Sequence, residues 1–343
     1  MLELAFDSGV ADPDVAVRER ARLEGALAAA LAAEEGGAAA GVAALLAAIG
    51  LRPGLMNESY FAEALAFHLA QTYAHLGRSK EMVDCIERSG TLPADGGDLL
   101  YPDHVARSLG LFEHREAARV RGVPAFLIAS MPRAASTSLT QSLARSLDMP
   151  VLRVSLGHFP HCMLAPSWLN SASPGGAVLH DHFGATPENL ATLRSCGVSE
   201  VFVLVRDPRA AAASVVDFGT SRLDQPIDDA QWTANVLDTY RHLFIPWLEG
   251  WIAAANTGDL RVRWIQSRLV RTDLHLVWRE MLSALAPLYP SLNSKLDLPP
   301  AEVRVNFVHG LDDRWRCRVG ERVREEMWAA LSPAAIELLE LEP

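Results

Sequence analysis

Two uninterrupted apolar runs, AFLIAS at 125–130 and VFVLV at 201–205, set the narrowest limit on the fold. Neither alternates polar with apolar residues, so neither suits a strand with one face in water. Short continuous runs of this kind belong to parallel strands covered on both faces. AVLHDH (177–182) and RVRWIQ (261–266) are further strand candidates, and apolar residues recur at helical spacing through 137–147, 186–195 and 208–217. Strands alternating with helices predict an α/β fold: a central parallel sheet flanked by helices, receiving ligands at the strands' C-terminal ends. A helix from about Asp228 to Asn256 carries Trp232, Tyr240, Trp247 and Trp251, whose spacing points to core packing rather than a cofactor site.

Residues 1–118 read differently. Apolar residues keep helical spacing through 16–49 and 59–88, and the stretch at 60–90 resembles one tetratricopeptide-type helical pair with no second copy at a fixed period. The turn-rich TLPADGGDLLYPD, 91–103, closes this region. The expected organisation is a helical N-terminal region, 1–118, and an α/β domain, 119–343.

Composition narrows the partners. With 343 residues, half of them hydrophobic, the chain can bury a sizeable core. A formal charge of −11 argues against nucleic acid, which needs a basic face. Cys85, Cys162, Cys196 and Cys317 are far apart with no metal spacing, which fits free thiols in a reducing compartment. The N-terminus carries Glu3, Asp7, Asp12 and Asp14 instead of a basic start and an apolar leader, and Glu34 and Glu35 break the alanine-rich stretch from Leu23 to Gly50. The expectation is therefore a cytoplasmic protein without a membrane span. Lys80 and Lys295 are the only two lysines, so any phosphate must be handled mainly by arginine and backbone.

Three strand ends carry candidate chemistry. After AFLIAS comes Pro132-Arg133-Ala134-Ala135-Ser136-Thr137-Ser138, where small side chains allow close backbone approach to an anion and Arg133 adds a forked positive charge. Taken alone, the same residues also describe a helix start capped by serine or threonine. After VFVLV, Arg206 precedes Asp207-Pro208, an N-cap followed by proline at the first helical position, with Ser214 eight residues beyond Arg206. In AVLHDH, strand alternation puts His180 and His182 on one face and Asp181 on the other. A histidine there can act as a general base; metal binding lacks a third ligand at suitable spacing.

In this order and at these separations, the three segments resemble the sulfotransferase family that uses 3′-phosphoadenylyl sulfate, over about residues 123–343. The family's first loop, Pro-Lys/Arg-Ser-Gly-Thr-Thr, binds the 5′-phosphosulfate; here Arg133, Ala134, Ala135, Ser136 and Thr137 follow Pro132, with Ser138 next. The family's Arg-Asp-Pro strand end, with a serine eight residues on, binds the 3′-phosphate, which the resemblance assigns to Arg206 and Ser214. Its catalytic histidine lies some two dozen residues earlier, matching His182, with His180 placed to steady the sulfate or orient His182. The late basic-glycine loop corresponds to VHGLDDRWRCR: Gly310 and Trp315 fit, Val308 and His309 replace the basic pair, and Arg314, Arg316 or Arg318 can stand in for it. Gln266 or Ser267 stands near the place of the tyrosine that meets adenine.

The resemblance implies the P-loop-like sulfotransferase fold and metal-independent sulfuryl transfer. The donor would be 3′-phosphoadenylyl sulfate and the product adenosine 3′,5′-bisphosphate, with His182 as base and Arg133 at the leaving phosphate. The acceptor would be a small molecule, carbohydrate or lipid. An apolar or aromatic one is favoured by Phe159, Met163, Leu164, Trp168 and Leu169 in the segment 156–176. The N-terminal region could cover the acceptor site, form a homodimer or recruit a carrier protein. Two other classes stay open: a P-loop-like kinase, which lacks its GxxxxGK lysine here, and a catalytically degenerate interaction protein.

Overall fold

The computed structural model of the chain describes residues 102–156 and 174–341, apart from 224–226, 296–299 and 301–313, with scattered residues between 157 and 173. The helical patterns expected before residue 102 lie outside the described residues, as do Val308, His309, Gly310 and Trp168. Two compact units divide the chain: 1–125 with 152–158 and 164–177, and 126–151 with 159–163 and 178–343.

In the first unit, helix α1 (Pro102–Val120) closes on Gly122, whose φ of 75° is the left-handed conformation that suits glycine at a helix end. Gly176, at φ 80°, donates its N–H to the Val123 carbonyl at 2.8 Å. A Cβ there would stand 2.2 Å from the Arg115 carbonyl oxygen, so the close approach requires glycine.

The second unit is built on a five-stranded sheet of β1 (Ala125–Ser130), β2 (Val151–Leu152), β3 (Ala177–Asp181), β4 (Glu200–Val205) and β5 (Arg261–Gln266), in the order β2-β3-β1-β4-β5. β1 pairs with β4, and β4 with β5, in parallel. The apolar runs behave as their patterning requires: Phe126 to Met131 and Val201 to Val205 are buried throughout. Helices α2 (Ser136–Leu147), α3 (Pro187–Ser195) and α4 (Pro208–Leu223) alternate with the strands. This is the α/β architecture expected from the sequence, and no described helix is long and apolar enough to cross a membrane.

Topology then fixes where a ligand can sit. From β1 the chain runs to β2 and β3 on one flank of the sheet, and from β4 it runs to β5 on the other. The adjacent C-terminal ends of β1 and β4 are therefore the switch point, where open α/β sheets receive ligands. Register aligns those ends, with Ser130 opposite Leu204. Met131 N–H extends the ladder by donating to the Leu204 carbonyl at 2.9 Å.

The single helix expected from about Asp228 to Asn256 is interrupted. It forms α5 (Asp229–Thr239), a π-helical turn (Tyr240–Phe244) and α6 (Ile245–Thr257). Pro246 explains the break, because it has no N–H to continue the i→i−4 ladder. Its aromatics are core, as expected: Trp232, Tyr240, Trp247 and Trp251 are all buried. The chain continues through α7 (Ser267–Thr272), α8 (Leu274–Leu285), α9 (Glu321–Ala329) and α10 (Pro333–Leu339).

Asp207 is the cap that the Asp-Pro pair predicts. Its Oδ1 accepts from the Arg209 N–H at 2.9 Å, and Pro208 opens α4. The same carboxylate holds Arg209 through Nε at 3.0 Å and Nη2 at 3.0 Å. Only 1% of Arg209 is exposed, and its guanidinium lies 5.0 Å and 5.3 Å from the Trp315 and Trp328 ring centroids. A desolvated cation is tolerated here because a paired carboxylate and two ring faces replace water. Arg209→Ala strands the largely buried Asp207 charge and leaves a void between the indoles. Urea denaturation should show a loss of about 3 kcal/mol, and a loss below about 1 kcal/mol would mean that the pair does not anchor this end of the sheet.

Candidate functional site

The loop after β1 departs from a simple capped helix. Arg133 and Ala135 both have positive φ, 65° and 68°, and Ala135 occupies the N-cap position of α2 without a side-chain hydrogen bond to the first turn. Helix geometry leaves the N–H groups of residues 136–138 without partners inside α2, so they and the positive end of the helix dipole are available to an anion. Ala134, Ser136 and Ser138 are buried around this turn, whereas Thr137 is exposed. Small residues are needed because the backbone itself is the recognition surface.

The end of β4 supplies the second element. Arg206 Nη1 donates to the Arg133 carbonyl at 3.0 Å, and Arg133 Nε donates to Ser214 Oγ at 3.1 Å. Phe218, one turn beyond Ser214 on α4, places its ring 4.7 Å from the Arg133 guanidinium carbon. Arg133, Arg206 and Ser214 thus come together through these contacts. Arg133 is half-buried, and among the described residues no carboxylate pairs with it. Burial, then the nearby Arg206 charge, pushes its guanidinium below the ordinary arginine range. Both Asp207 oxygens are engaged by Arg209. The strand ends therefore hold clustered cationic groups beside an uncapped helix start, an arrangement that attracts a compact multivalent anion.

The third element is a histidine pair at the end of β3. Ser130 Oγ, at the end of β1, lies 2.7 Å from His180 Nε2 and 3.0 Å from His182 Nδ1. The two imidazoles meet edge to face with centroids 5.4 Å apart. His182 Nδ1 is also 2.8 Å from the Ser130 carbonyl oxygen. A carbonyl only accepts, so Nδ1 carries a hydrogen, and in the neutral ring Nε2 has the lone pair that a base needs. Asp181 turns the other way, as strand alternation requires. It is buried, and its Oδ1 accepts from the His182 N–H at 2.9 Å and from the Cys162 thiol at 3.9 Å. Trp247 Nε1 fixes the following backbone by donating to the carbonyls of His182 and Phe183 at 3.2 Å and 3.1 Å.

Ser130 is the residue that sequence reasoning missed. It closes an apolar run, where one serine looks like a strand terminus. Its only signal was its position two residues before Pro132, where the small-residue loop begins.

Several other candidates are placed by the structure. Arg206 and Arg316 line a pocket of about 340 Å3 with Gln266, Ser267, Arg268 and Glu340. Gln266 Nε2 donates to the Leu338 carbonyl at 2.9 Å, joining β5 to α10. Arg318 is committed elsewhere: it bonds Asp217 at 3.0 Å and Asp229 at 3.2 Å, and stacks 3.8 Å from the Trp232 ring centroid. Of the two late arginines whose side chains are described, Arg316 is the one at the pocket. Arg314 begins the 3-10 turn Arg314–Cys317, with its side chain outside the described residues. Among the described residues no histidine, cysteine and carboxylate group is arranged to hold a metal ion.

No family model matches the chain, and neither a curated protein nor a solved structure gives a match.

The left-handed Ala135 generates a stability test. A residue with a Cβ in that region costs about 1–2 kcal/mol, offset by the larger chain entropy of glycine, roughly 0.5–1 kcal/mol. Ala135→Gly should raise the unfolding free energy by about 0.5 kcal/mol, and the β-branched Ala135→Val should lower it by at least about 1 kcal/mol. Urea midpoints in the reverse order would show that the loop does not hold this conformation in solution.

Proposed function

We propose that the chain is a sulfotransferase that moves a sulfuryl group from 3′-phosphoadenylyl sulfate to a hydroxyl or amine. The observation that carries this reading is the convergence of Arg133, Arg206 and Ser214 on an uncapped helix start, beside a histidine whose Nε2 is held as a lone pair. Ala135 supports it further. Its left-handed φ is the conformation in which glycine is favoured, and glycine is what the resembling family carries at that position.

The donor supplies an activated sulfuryl group on a phosphate leaving group. Arg133 and the N–H groups of 136–138 would hold its phosphosulfate end. They are already oriented, so negative charge growing on the leaving oxygen meets fixed dipoles. Arg206 and Ser214 would take the 3′-phosphate, with Ser214 exchanging its present bond to Arg133 for one to the ligand. Arg316 is the described late arginine best placed to add a further cation. His182 Nε2 would accept the acceptor's proton as the new S–O bond forms and the S–O bond to phosphate breaks, its electron pair leaving with the phosphate. Asp181 is not the base in this scheme, because it is buried and engaged by the His182 N–H.

Calorimetric titration with adenosine 3′,5′-bisphosphate in EDTA, with MgATP in parallel, tests this directly. The bisphosphate should bind without metal, and Arg206→Ala should weaken it at least about tenfold through loss of a charge-assisted contact. No binding to the wild type would overturn the sulfotransferase reading. A magnesium-dependent ATP signal in its place would favour a kinase.

A further inference from the structure

His182 can be neutral in two forms, and only one is a base toward substrate. With hydrogen on Nδ1, Nε2 is a lone pair; with hydrogen on Nε2, the ring can only donate there. The Ser130 hydroxyl touches the ring at the atom that decides between them. If its proton points at His182 Nδ1, it stabilises the unproductive form. If its proton points away, the oxygen accepts from Nδ1–H together with the Ser130 carbonyl and stabilises the productive one. The Ser130 carbonyl, 2.8 Å from Nδ1, requires a hydrogen on that atom, which leaves His180 Nε2, 2.7 Å from Ser130 Oγ, as the acceptor for the hydroxyl proton, with His182 Nδ1 3.0 Å away. Ser130 Oγ and the carbonyl then share Nδ1–H.

We infer that His180 is a positioning residue that selects the Nδ1–H form of His182 by accepting the Ser130 hydroxyl proton. The chain of donors runs from His182 Nδ1–H to Ser130 Oγ, and from Ser130 Oγ–H to His180 Nε2. His180 must then carry its own hydrogen on Nδ1. A second imidazole thereby does for His182 what a carboxylate does for the base in a hydrolase triad, acting through a serine hydroxyl and without adding negative charge. Absence of that charge matters beside an anion site, since a carboxylate on the same face would repel the ligand that Arg133 and Arg206 attract. Asp181, the carboxylate next to both histidines, is buried on the opposite face of the strand and engaged by backbone. This inference rests on His182 being the base of the proposed transfer.

Long-range 1H–15N correlation spectra of histidine-labelled protein, at a pH where both rings are neutral, read the tautomers without any substrate. In the wild type, His180 and His182 should both appear as Nδ1–H; either one as Nε2–H overturns the inference. In His180→Phe the His182 tautomer ratio should move toward Nε2–H by about 2- to 10-fold, the worth of one hydrogen bond. His180→Gln, whose amide oxygen can accept the same proton, should restore it. The effect should vanish in a Ser130→Ala background, where there is no hydroxyl to steer. A shift that persists there, or none in His180→Phe, would make His180 a packing residue only. These spectra stand apart from the titration above: failure to bind the bisphosphate removes the sulfotransferase reading and leaves the tautomers unchanged, whereas wrong tautomers remove the role of His180 and leave ligand binding intact.

Discussion

A charge-assisted hydrogen bond from the Arg206 guanidinium to the Arg133 carbonyl joins the two loops on which the candidate site depends. The carbonyl it grips belongs to one of two residues in the loop with positive φ, a conformation that a side-chain-bearing residue holds only when its surroundings enforce it. Parallel pairing of β1 with β4 brings the loops to one edge, and the arginine then fixes the peptide that turns the chain into α2. Without that grip, Arg133 and Ala135 would relax toward ordinary backbone, and the first turn of α2 would no longer present its N–H groups in the same direction. Loop shape and positive charge therefore come from the same residue.

The site is assembled against its own electrostatic interest. Burial first, and then the neighbouring Arg206 charge, makes the Arg133 guanidinium hold its proton less tightly than in water. A chain selected only for stability would put a carboxylate between them. One is close in sequence, Asp207, but Arg209 and two tryptophans hold it in a separate, self-neutral cluster. The Ser214 hydroxyl and the Phe218 ring steady Arg133 without cancelling its charge. Among the described residues no carboxylate pairs with Arg133, and in the proposed function an anionic ligand would neutralise it.

Much of this was legible before any coordinates, for identifiable reasons. AFLIAS and VFVLV read as buried parallel strands, and they form β1 and β4 of the sheet. Asp207-Pro208 announced a helix start through chemistry confined to two adjacent residues. Strand alternation put His180 and His182 together and Asp181 opposite. The losses have a common cause: they depend on contacts distant in sequence. Ser130 lies 50 residues from His180, so its role as a bridge has no local signature. Arg318 matched its neighbours in type and spacing, yet Asp217, about a hundred residues away, decides where it points. The π-helical turn at Tyr240–Phe244 was readable from Pro246, but a strong aromatic periodicity on both sides hid it.

The end of β1 does more than terminate a strand. Ser130 contacts both histidines through its hydroxyl and His182 again through its carbonyl, while the next residue, Met131, ties to β4 through its N–H. The small-residue loop begins at the following residue, Pro132. The His182 imidazole and the cationic loop are thus referenced to the same few peptide units in the middle of the sheet. Proton removal and anion stabilisation must act on one reacting centre within a fraction of an ångström, and two groups on separate mobile loops would not keep that spacing. The two strands that neighbour β1 bring one group each, β3 the histidine pair and β4 Arg206. A central strand with a polar final residue is sufficient to hold them in register.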